Sequence, residues 1–173
     1  GKVLALPDAD GNGVADRVVT YVEGLSRPHG LAFRKGALYI SGTGELLRAV
    51  DDDGDLRADA VEVLSRDIPG GGGHWTRSLA VGPDGRFFVS TGASCNVCIE
   101  EDWRRAAILV FPQDGGQGRR FASGLRNSVG LTFHPQTGEL WASNNGRDML
   151  GDDLPPDELN HAPQAGLHFG FPY

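Results

Sequence analysis

Short alternations of apolar and polar residues recur along the chain at an interval of about 50 residues. The repeated unit is an apolar strand, a Gly-containing turn and a second strand ending in Ser, found at residues 28–41, 77–90 and 128–143. The equivalent leucines of the three copies are Leu31, Leu79 and Leu131. Because Pro fixes φ for a turn and Gly supplies a positive φ, each copy is predicted to form a β-hairpin.

A second hairpin follows the first two copies in the same order, around the turns 51–55 and 112–116, and residues 2–22 supply one more. Four short antiparallel strands in about 50 residues are typical of a propeller blade. The sequence therefore predicts an all-β chain, a β-propeller of four-stranded antiparallel blades. Its predicted parts are an outer half-blade (1–25), two blades (26–67 and 68–123) and an inner half-blade (124–173).

This count amounts to about three blades, whereas roughly 4–8 blades close a propeller. Two explanations are open. The chain could be part of a longer protein that supplies the remaining blades. Alternatively, two copies could complete one ring, because an outer half-blade at one end complements an inner half-blade at the other.

Composition excludes several partners. The chain is acidic, with a formal net charge of −7. Its longest basic runs have two residues, so nucleic acid is not an expected partner. Its apolar runs are far shorter than the ~20 residues of a membrane span, so no span is expected.

The two cysteines, Cys95 and Cys98, have the spacing C-x-x-C. A redox pair would normally open a helix, and no helical pattern follows here. A zinc site would need two more ligands of suitable spacing. A small-loop disulfide is the favoured interpretation, with free thiols as the alternative. A disulfide would place the protein in the periplasm or outside the cell.

Two acidic loops have the spacing of calcium ligands. The first contains Asp8, Asp10, Asn12 and Asp16, and the second contains Asp51, Asp53, Asp55, Asp59 and Glu62. Each departs once from the calcium-loop pattern, since Val19 replaces the closing Glu of the first and Leu56 the turn Gly of the second. They are interpreted either as structural calcium sites or as solvated hairpin turns.

The stretch Gly70–Gly73 followed by His74 is the first candidate for chemistry. Gly favours neither helix nor strand, but lets the backbone run close to a ligand. The alternative is a flexible surface loop. In a propeller, loops that enter the innermost strands gather at the central channel, and the equivalent loop before Leu131 carries Arg126 and Asn127. An Arg beside an Asn suits a quinone or a multi-carboxylate ligand, and a His suits a general base.

The motifs G-H-W-x-R-S-L, S-C-N-x-C, G-L-R-N-x-V-G-L, N-x-G-R-D-x-L-G-D-D-L-P-P-D-E-L-N and F-G-F-P-Y occur in this order. In this respect the chain resembles the pyrroloquinoline quinone (PQQ)-dependent soluble sugar dehydrogenases, and within them the sorbosone and pyranose dehydrogenase branch. The resemblance implies a six-bladed propeller more than twice as long as this chain. It also implies oxidation of an aldose or related sugar by hydride transfer to the quinone, with an external electron acceptor.

The resemblance also implies roles for single residues. His74 matches the general base, and the backbone carbonyls of Gly146 and Arg147 match the position that holds the cofactor's Ca²⁺. The candidate cofactor contacts are Trp75, Arg77, Arg126 and Asn127. The competing function is a non-catalytic propeller that serves as a binding module, or an inactive half-propeller, because fold does not give function.

Overall fold

The computed structural model describes residues 1–173, which form strands, turns and loops without a helix. The chain therefore has no helix of the length and apolarity needed to cross a membrane. The strands are β1 (Lys2–Ala5), β2 (Val19–Glu23), β3 (Gly30–Arg34), β4 (Ala37–Gly42), β5 (Glu45–Val50), β6 (Ala60–Ser65), β7 (Leu79–Val81), β8 (Phe87–Thr91), β9 (Ala107–Phe111), β10 (Arg119–Ser123), β11 (Ser128–Phe133), β12 (Leu140–Asn144), β13 (Glu158–Ala162) and β14 (Leu167–His168).

Four separate sheets contain these strands. Their orders are β1-β2, β3-β4-β5-β6, β7-β8-β9-β10 with β14 beyond β10, and β11-β12-β13. All neighbouring strands are antiparallel except β10 and β14. The predicted hairpins are confirmed, with Ala32 opposite Tyr39 and Ala80 opposite Phe88. The all-β class is confirmed as well, and none of the sheets closes on itself.

Strand β14 was not predicted from the sequence. It pairs in parallel with β10, Leu167 lying opposite Ala122 and His168 opposite Ser123. The pairing continues past the strand, where the N–H of Phe169 donates to the Ser123 carbonyl at 2.9 Å. A two-residue strand has no readable periodicity, because period-2 alternation needs at least four residues to be recognised. The C-terminal stretch therefore returns to the sheet formed by β7–β10.

The core lies on both faces of this central sheet. Successive side chains of a strand point to opposite faces, and Phe87 and Phe88 follow this rule. Phe87 joins a buried cluster with Leu46 of β5, whereas Phe88 joins a cluster with Leu140 of β12. Every residue of β8 and β9 is buried. The sheets therefore stack on one another, and the connections at one end of the stack come together.

Candidate functional site

Gly92, directly after β8, is the point where two of the candidate loops meet. A Cβ atom at this position would lie 2.4 Å from the His74 Cβ and 3.0 Å from the Asn127 Oδ1. Only a residue without a side chain fits between them. The structure thus brings together His74 and Asn127, two of the residues singled out in the sequence.

The His74 side chain is half-buried and held by one hydrogen bond, between its Nδ1 and the Ala93 carbonyl at 2.8 Å. A carbonyl oxygen can only accept, so Nδ1 carries the hydrogen and Nε2 of the neutral ring is left as a proton acceptor. This tautomer is the one that a general base requires. The role of His74 as a base stays a prediction, and its geometry suits that role.

Asn127 is fixed through its main chain. Its N–H donates to the Asn144 Oδ1 at 2.9 Å, and its carbonyl accepts from the Asn145 N–H at 3.0 Å. The side-chain Oδ1 lies 3.5 Å from the Thr76 hydroxyl. The strand end therefore holds the amide of Asn127 next to His74.

Arg126 is 3% exposed and donates only to oxygens of the protein. Its Nε and Nη2 bond the carbonyl and Oδ1 of Asn96, at 2.9 and 2.8 Å. Nη2 also bonds the Asp148 carboxylate at 2.6 Å, and Nη1 bonds the carbonyls of Asn145, at 3.4 Å, and Gly146. These bonds occupy all five N–H groups of the guanidinium. In this conformation Arg126 braces the loop 145–148, and the direct quinone contact implied by the resemblance stays a prediction.

Asn96 belongs to the S-C-N-x-C motif and was not among the predicted site residues. Besides its two bonds from Arg126, its Oδ1 accepts from the Asp148 N–H at 2.8 Å, and its Nδ2 donates to the Asp148 carbonyl at 3.1 Å. It lies between Cys95 and Cys98, whose disulfide is present, as predicted. The only sequence signal for its role was the Asn between the two cysteines.

Arg77, predicted as a cofactor contact, is buried. It is 0% exposed and donates to backbone carbonyls, from Nη1 to His74 at 2.9 Å and Thr76 at 2.7 Å, and from Nη2 to Pro69 at 2.8 Å. Burial, with a smaller contribution from the charge of Arg105, lowers the pKa of Arg77 to about 10, so it stays a cation at neutral pH. This burial and these bonds do not favour a contact with a ligand. The contact of Arg77 with the cofactor stays a prediction.

Trp75 remains accessible, with 42% of its surface exposed. Its ring meets the His29 ring edge-on, with 5.9 Å between centroids, and the Arg27 guanidinium lies 5.9 Å from the Trp75 ring centroid. It is the direct chain neighbour of His74. A ligand at His74 could therefore reach this ring, and the contact of Trp75 with the cofactor stays a prediction.

The backbone carbonyls of Gly146 and Arg147 are the ones predicted to hold the cofactor's Ca²⁺, and their loop borders a cavity of about 220 Å³. Asn144 and Glu158 also line this cavity. The Gly146 N–H donates to the Asp157 carboxylate at 3.0 Å, which fixes the loop. Carbonyl and carboxylate oxygens are the ligands that Ca²⁺ prefers. The Arg126 guanidinium beside the Gly146 carbonyl works against a second cation there, and the exposed Asp148 carboxylate offsets part of that charge.

The two acidic loops adopt closely similar conformations. Asp8 accepts from the N–H groups of Gly13 and Asn12, at 2.9 and 3.1 Å, and these bonds, Gly13 above all, hold its pKa below the usual value. Asp51 likewise accepts from Gly54 and Leu56, at 2.8 and 3.0 Å. Calcium binding by these loops stays a prediction.

In the second loop, carboxylate oxygens of Asp51, Asp53 and Asp59 lie within 4.8 Å of one another. Glu62 lies outside this group. It pairs with Arg48 across the sheet, 3.7 Å apart, because strand β6 has already begun. Glu62 as the closing ligand stays a prediction that its pairing with Arg48 does not favour, and Asp59 is the third carboxylate of this cluster.

Comparison with known proteins places the chain in a family. A family model described as a domain of unknown function, DUF7133, matches residues 1–168. The chain belongs to the DUF7133 family. An uncharacterized protein of Borreliella burgdorferi is 42% identical to this DUF7133 chain over 88 residues, which are 51% of the chain and 23% of that protein.

Solved structures share the fold of the DUF7133 chain. A Trichoderma reesei protein of the carbohydrate-active enzyme family AA12 is 22% identical, with a TM-score of 0.79 over 95% of this chain and 48% of its own. The holo form of the pyranose dehydrogenase PQQ domain of Coprinopsis cinerea is 20% identical, with a TM-score of 0.76 over 91% and 46%. The resemblance indicated by the motifs is thus confirmed in the fold, and the chain spans about half the length of these solved chains.

Proposed function

We propose that this DUF7133 chain forms part of a PQQ- and calcium-dependent dehydrogenase that oxidises an aldose or a related pyranose. The observation that carries the proposal is the His74 imidazole, which the Ala93 carbonyl holds in the tautomer of a base, with Asn127 beside it across Gly92. Fold similarity to a pyranose dehydrogenase PQQ domain supports the proposal. Bound PQQ would accept the hydride, with Ca²⁺ as the Lewis acid on its quinone.

The residues of this chain then have distinct tasks. His74 Nε2 takes the proton of the sugar hydroxyl, because Nδ1 is committed to Ala93. The amide of Asn127 can donate to an anionic oxygen beside that base, and the Trp75 ring offers an apolar face for a sugar or a planar ligand. The carbonyl of Gly146 and nearby carboxylates, including Asp148, would supply oxygens for Ca²⁺.

The donor set fits this cofactor in part. His74 and Asn127 have groups free to act on a ligand. Arg126 would have to exchange bonds to Asn96 or to the loop 145–148 before it could donate to a quinone oxygen. Binding of the cofactor is therefore expected to depend on how easily this loop rearranges.

We also infer a periplasmic or extracellular location and an external electron acceptor. The disulfide Cys95–Cys98 supports an oxidising compartment. Two sheets flank the central sheet, β3–β6 and β11–β13, and both have exposed apolar side chains, such as Phe33 on β3 and Leu159 on β13. Further sheets of the same protein, or a second copy, would cover them, and the mass of the protein in solution separates these two cases.

The direct experiment adds PQQ and Ca²⁺ to the purified full-length protein that contains this chain, and follows dye reduction with a panel of sugars. Sugar-dependent reduction is expected, and His74→Gln should lower it by at least about 10²-fold through loss of the base. The control is His161→Gln, whose ring stacks on Trp141 and bonds Glu139, far along the chain from the site. Equal activity of His74→Gln and the unaltered protein would contradict the proposal.

A binding module without redox chemistry is the second candidate. It is favoured by one observation, that Arg77 and Arg126 direct their hydrogen bonds to the protein itself. Calorimetry separates the candidates. An enzyme should bind PQQ in the presence of Ca²⁺, whereas a module of this kind should bind a sugar and not PQQ.

A further inference from the structure

The loop that carries His74 has little structure of its own. Gly71 and Gly72 have φ values of 66° and 85°, and the four glycines are exposed. One main-chain hydrogen bond ties the stretch to its neighbour, from the Gly73 N–H to the Ser94 carbonyl at 3.0 Å. Gly loses more conformational freedom on ordering than any other residue. Something outside the loop must therefore hold it in one conformation.

Arg77 holds the loop from within the protein. Its bonds to the carbonyls of Pro69, His74 and Thr76 span both ends of the glycine run. One of these carbonyls belongs to His74 itself. The backbone on which the base sits is thus fixed by a planar fork whose geometry lysine cannot reproduce.

Arg105 holds the same loop from its outer side. Its Nη2 bonds the carbonyls of Gly70 and, at 3.2 Å, Gly71. A Cβ at Gly72 would lie 2.7 Å from the Arg105 Nη1, so the guanidinium packs directly against the loop. Five carbonyls of residues 69–76 therefore accept from two arginines.

The two cations bind carbonyls and have no carboxylate among these partners. Burial and the like charge of Arg105 lower the pKa of Arg77, which shows that the surroundings disfavour its charge. Its Nε also lacks a hydrogen-bond partner. If the loop moved away, a buried guanidinium would lose the bonds that stabilise it, which is strongly unfavourable. Loop and arginine thus fix each other.

We propose that Arg77 and Arg105 are positioning residues, which clamp residues 69–76 by their carbonyls and so keep the His74 ring against the Ala93 carbonyl. Neither residue touches the reacting atoms. The clamp itself can be measured without any cofactor. Its consequence for the reaction rests on the proposed function of His74.

The first test is hydrogen exchange in the cofactor-free protein. Arg77→Lys keeps the charge and loses the fork. The amide of Gly73, which donates to the Ser94 carbonyl, should then exchange at least about tenfold faster, a factor that corresponds to about 1.4 kcal/mol of local opening. Arg105→Lys should act on the same amide to a smaller extent. The control is Arg119→Lys, on the exposed surface of β10. Unchanged exchange of the Gly73 amide in both clamp variants would overturn the proposal.

The second test separates positioning from folding by chemical rescue. Arg77→Ala leaves space for a free guanidinium ion, which at low millimolar concentration should restore the protection of the Gly73 amide. With PQQ, Ca²⁺ and sugar, kcat should fall by about 10²-fold, the effect of misplacing a catalytic group by about 1 Å. KM should change little, and guanidinium should restore kcat.

The outcomes are distinct. If Arg77→Ala does not fold, Arg105→Lys carries the same measurements from the outer side of the loop. If the unaltered protein oxidises no sugar, the proposed function fails, and the exchange and rescue of protection still decide the clamp. A fall in activity without faster exchange, or faster exchange that guanidinium does not reverse, would overturn it.

Discussion

Arg77 and Arg126 occupy comparable places, each in the segment that leads into the first strand of a sheet, and both are almost without exposed surface. Both donate to backbone carbonyls of loops at the candidate site. They differ in what surrounds the charge. Arg126 has all five N–H groups bonded and pairs with Asp148, whose side chain is 71% exposed. Arg77 has carbonyl partners only, and its Nε has none.

The difference shows how the two loops are held. Around Arg126, water can reach the partner carboxylate and replace lost bonds, so the brace of residues 145–148 can exchange partners. Around Arg77, the guanidinium has no exposed surface and the Pro69 carbonyl that it bonds is buried, so water replaces a lost bond less easily there. Residues 69–76 should therefore be rigid and residues 145–148 adaptable. A base needs the first property, and a loop that binds a metal and a cofactor can use the second.

The largest effect is expected for Arg77→Met. It removes three hydrogen bonds of a guanidinium without exposed surface, one of them to the buried Pro69 carbonyl, and the free energy of unfolding should fall by about 3 kcal/mol. Urea unfolding followed by tryptophan fluorescence measures this loss, with Arg119→Met as the control. A loss smaller than that of Arg126→Met would show that Arg77 does not hold its loop more firmly than Arg126 holds residues 145–148.

Arg126→Met should destabilise less, by about 2 kcal/mol, although it removes more bonds. Water can reach several of the freed oxygens, including the Asp148 carboxylate. Urea unfolding measures the loss in free energy of unfolding, and hydrogen exchange shows which residues are affected. Faster exchange should be confined to residues 145–148, and faster exchange of the Gly73 amide would show that the two loops are not independent.

Asn96→Ala should cost about 1 kcal/mol, because it removes the side-chain amide that bonds Arg126 and Asp148. In a double-mutant cycle its effect should be non-additive with Arg126→Met and additive with Arg77→Met, since residues in one network couple and separate ones do not. Additivity in both cycles would show that Asn96 does not help Arg126 to hold residues 145–148.

The smallest effect is expected for Asp148→Asn, about 0.5 kcal/mol or less, because a pair with one exposed partner is weak. The variant keeps the main-chain bonds to Asn96. Its difference from the unaltered protein should disappear at high salt, which screens exposed charge. A loss that persists at high salt would show that Asp148 is as protected from solvent as Arg77.

Some of the site could be predicted from residue types alone. His74 and Asn127 were named because a His after a glycine run and an Asn beside an Arg are unusual, and the structure brings them together at Gly92. The disulfide followed from C-x-x-C without a helix. Arg77, in contrast, looked like a ligand-binding residue, since an Arg in sequence is normally exposed. Glu62 looked like a metal ligand by count, and the start of β6 turned it toward Arg48.

The sequence by itself determined the hairpins and the all-β class, because turn residues and period-2 alternation act over a few neighbouring positions. Only the tertiary structure decided which arginine is buried, that Asn96 links Arg126 to the loop 145–148, and that β14 pairs with β10. These features join residues up to 52 positions apart. Such contacts depend on how the sheets stack, and no local pattern of side chains specifies that stacking.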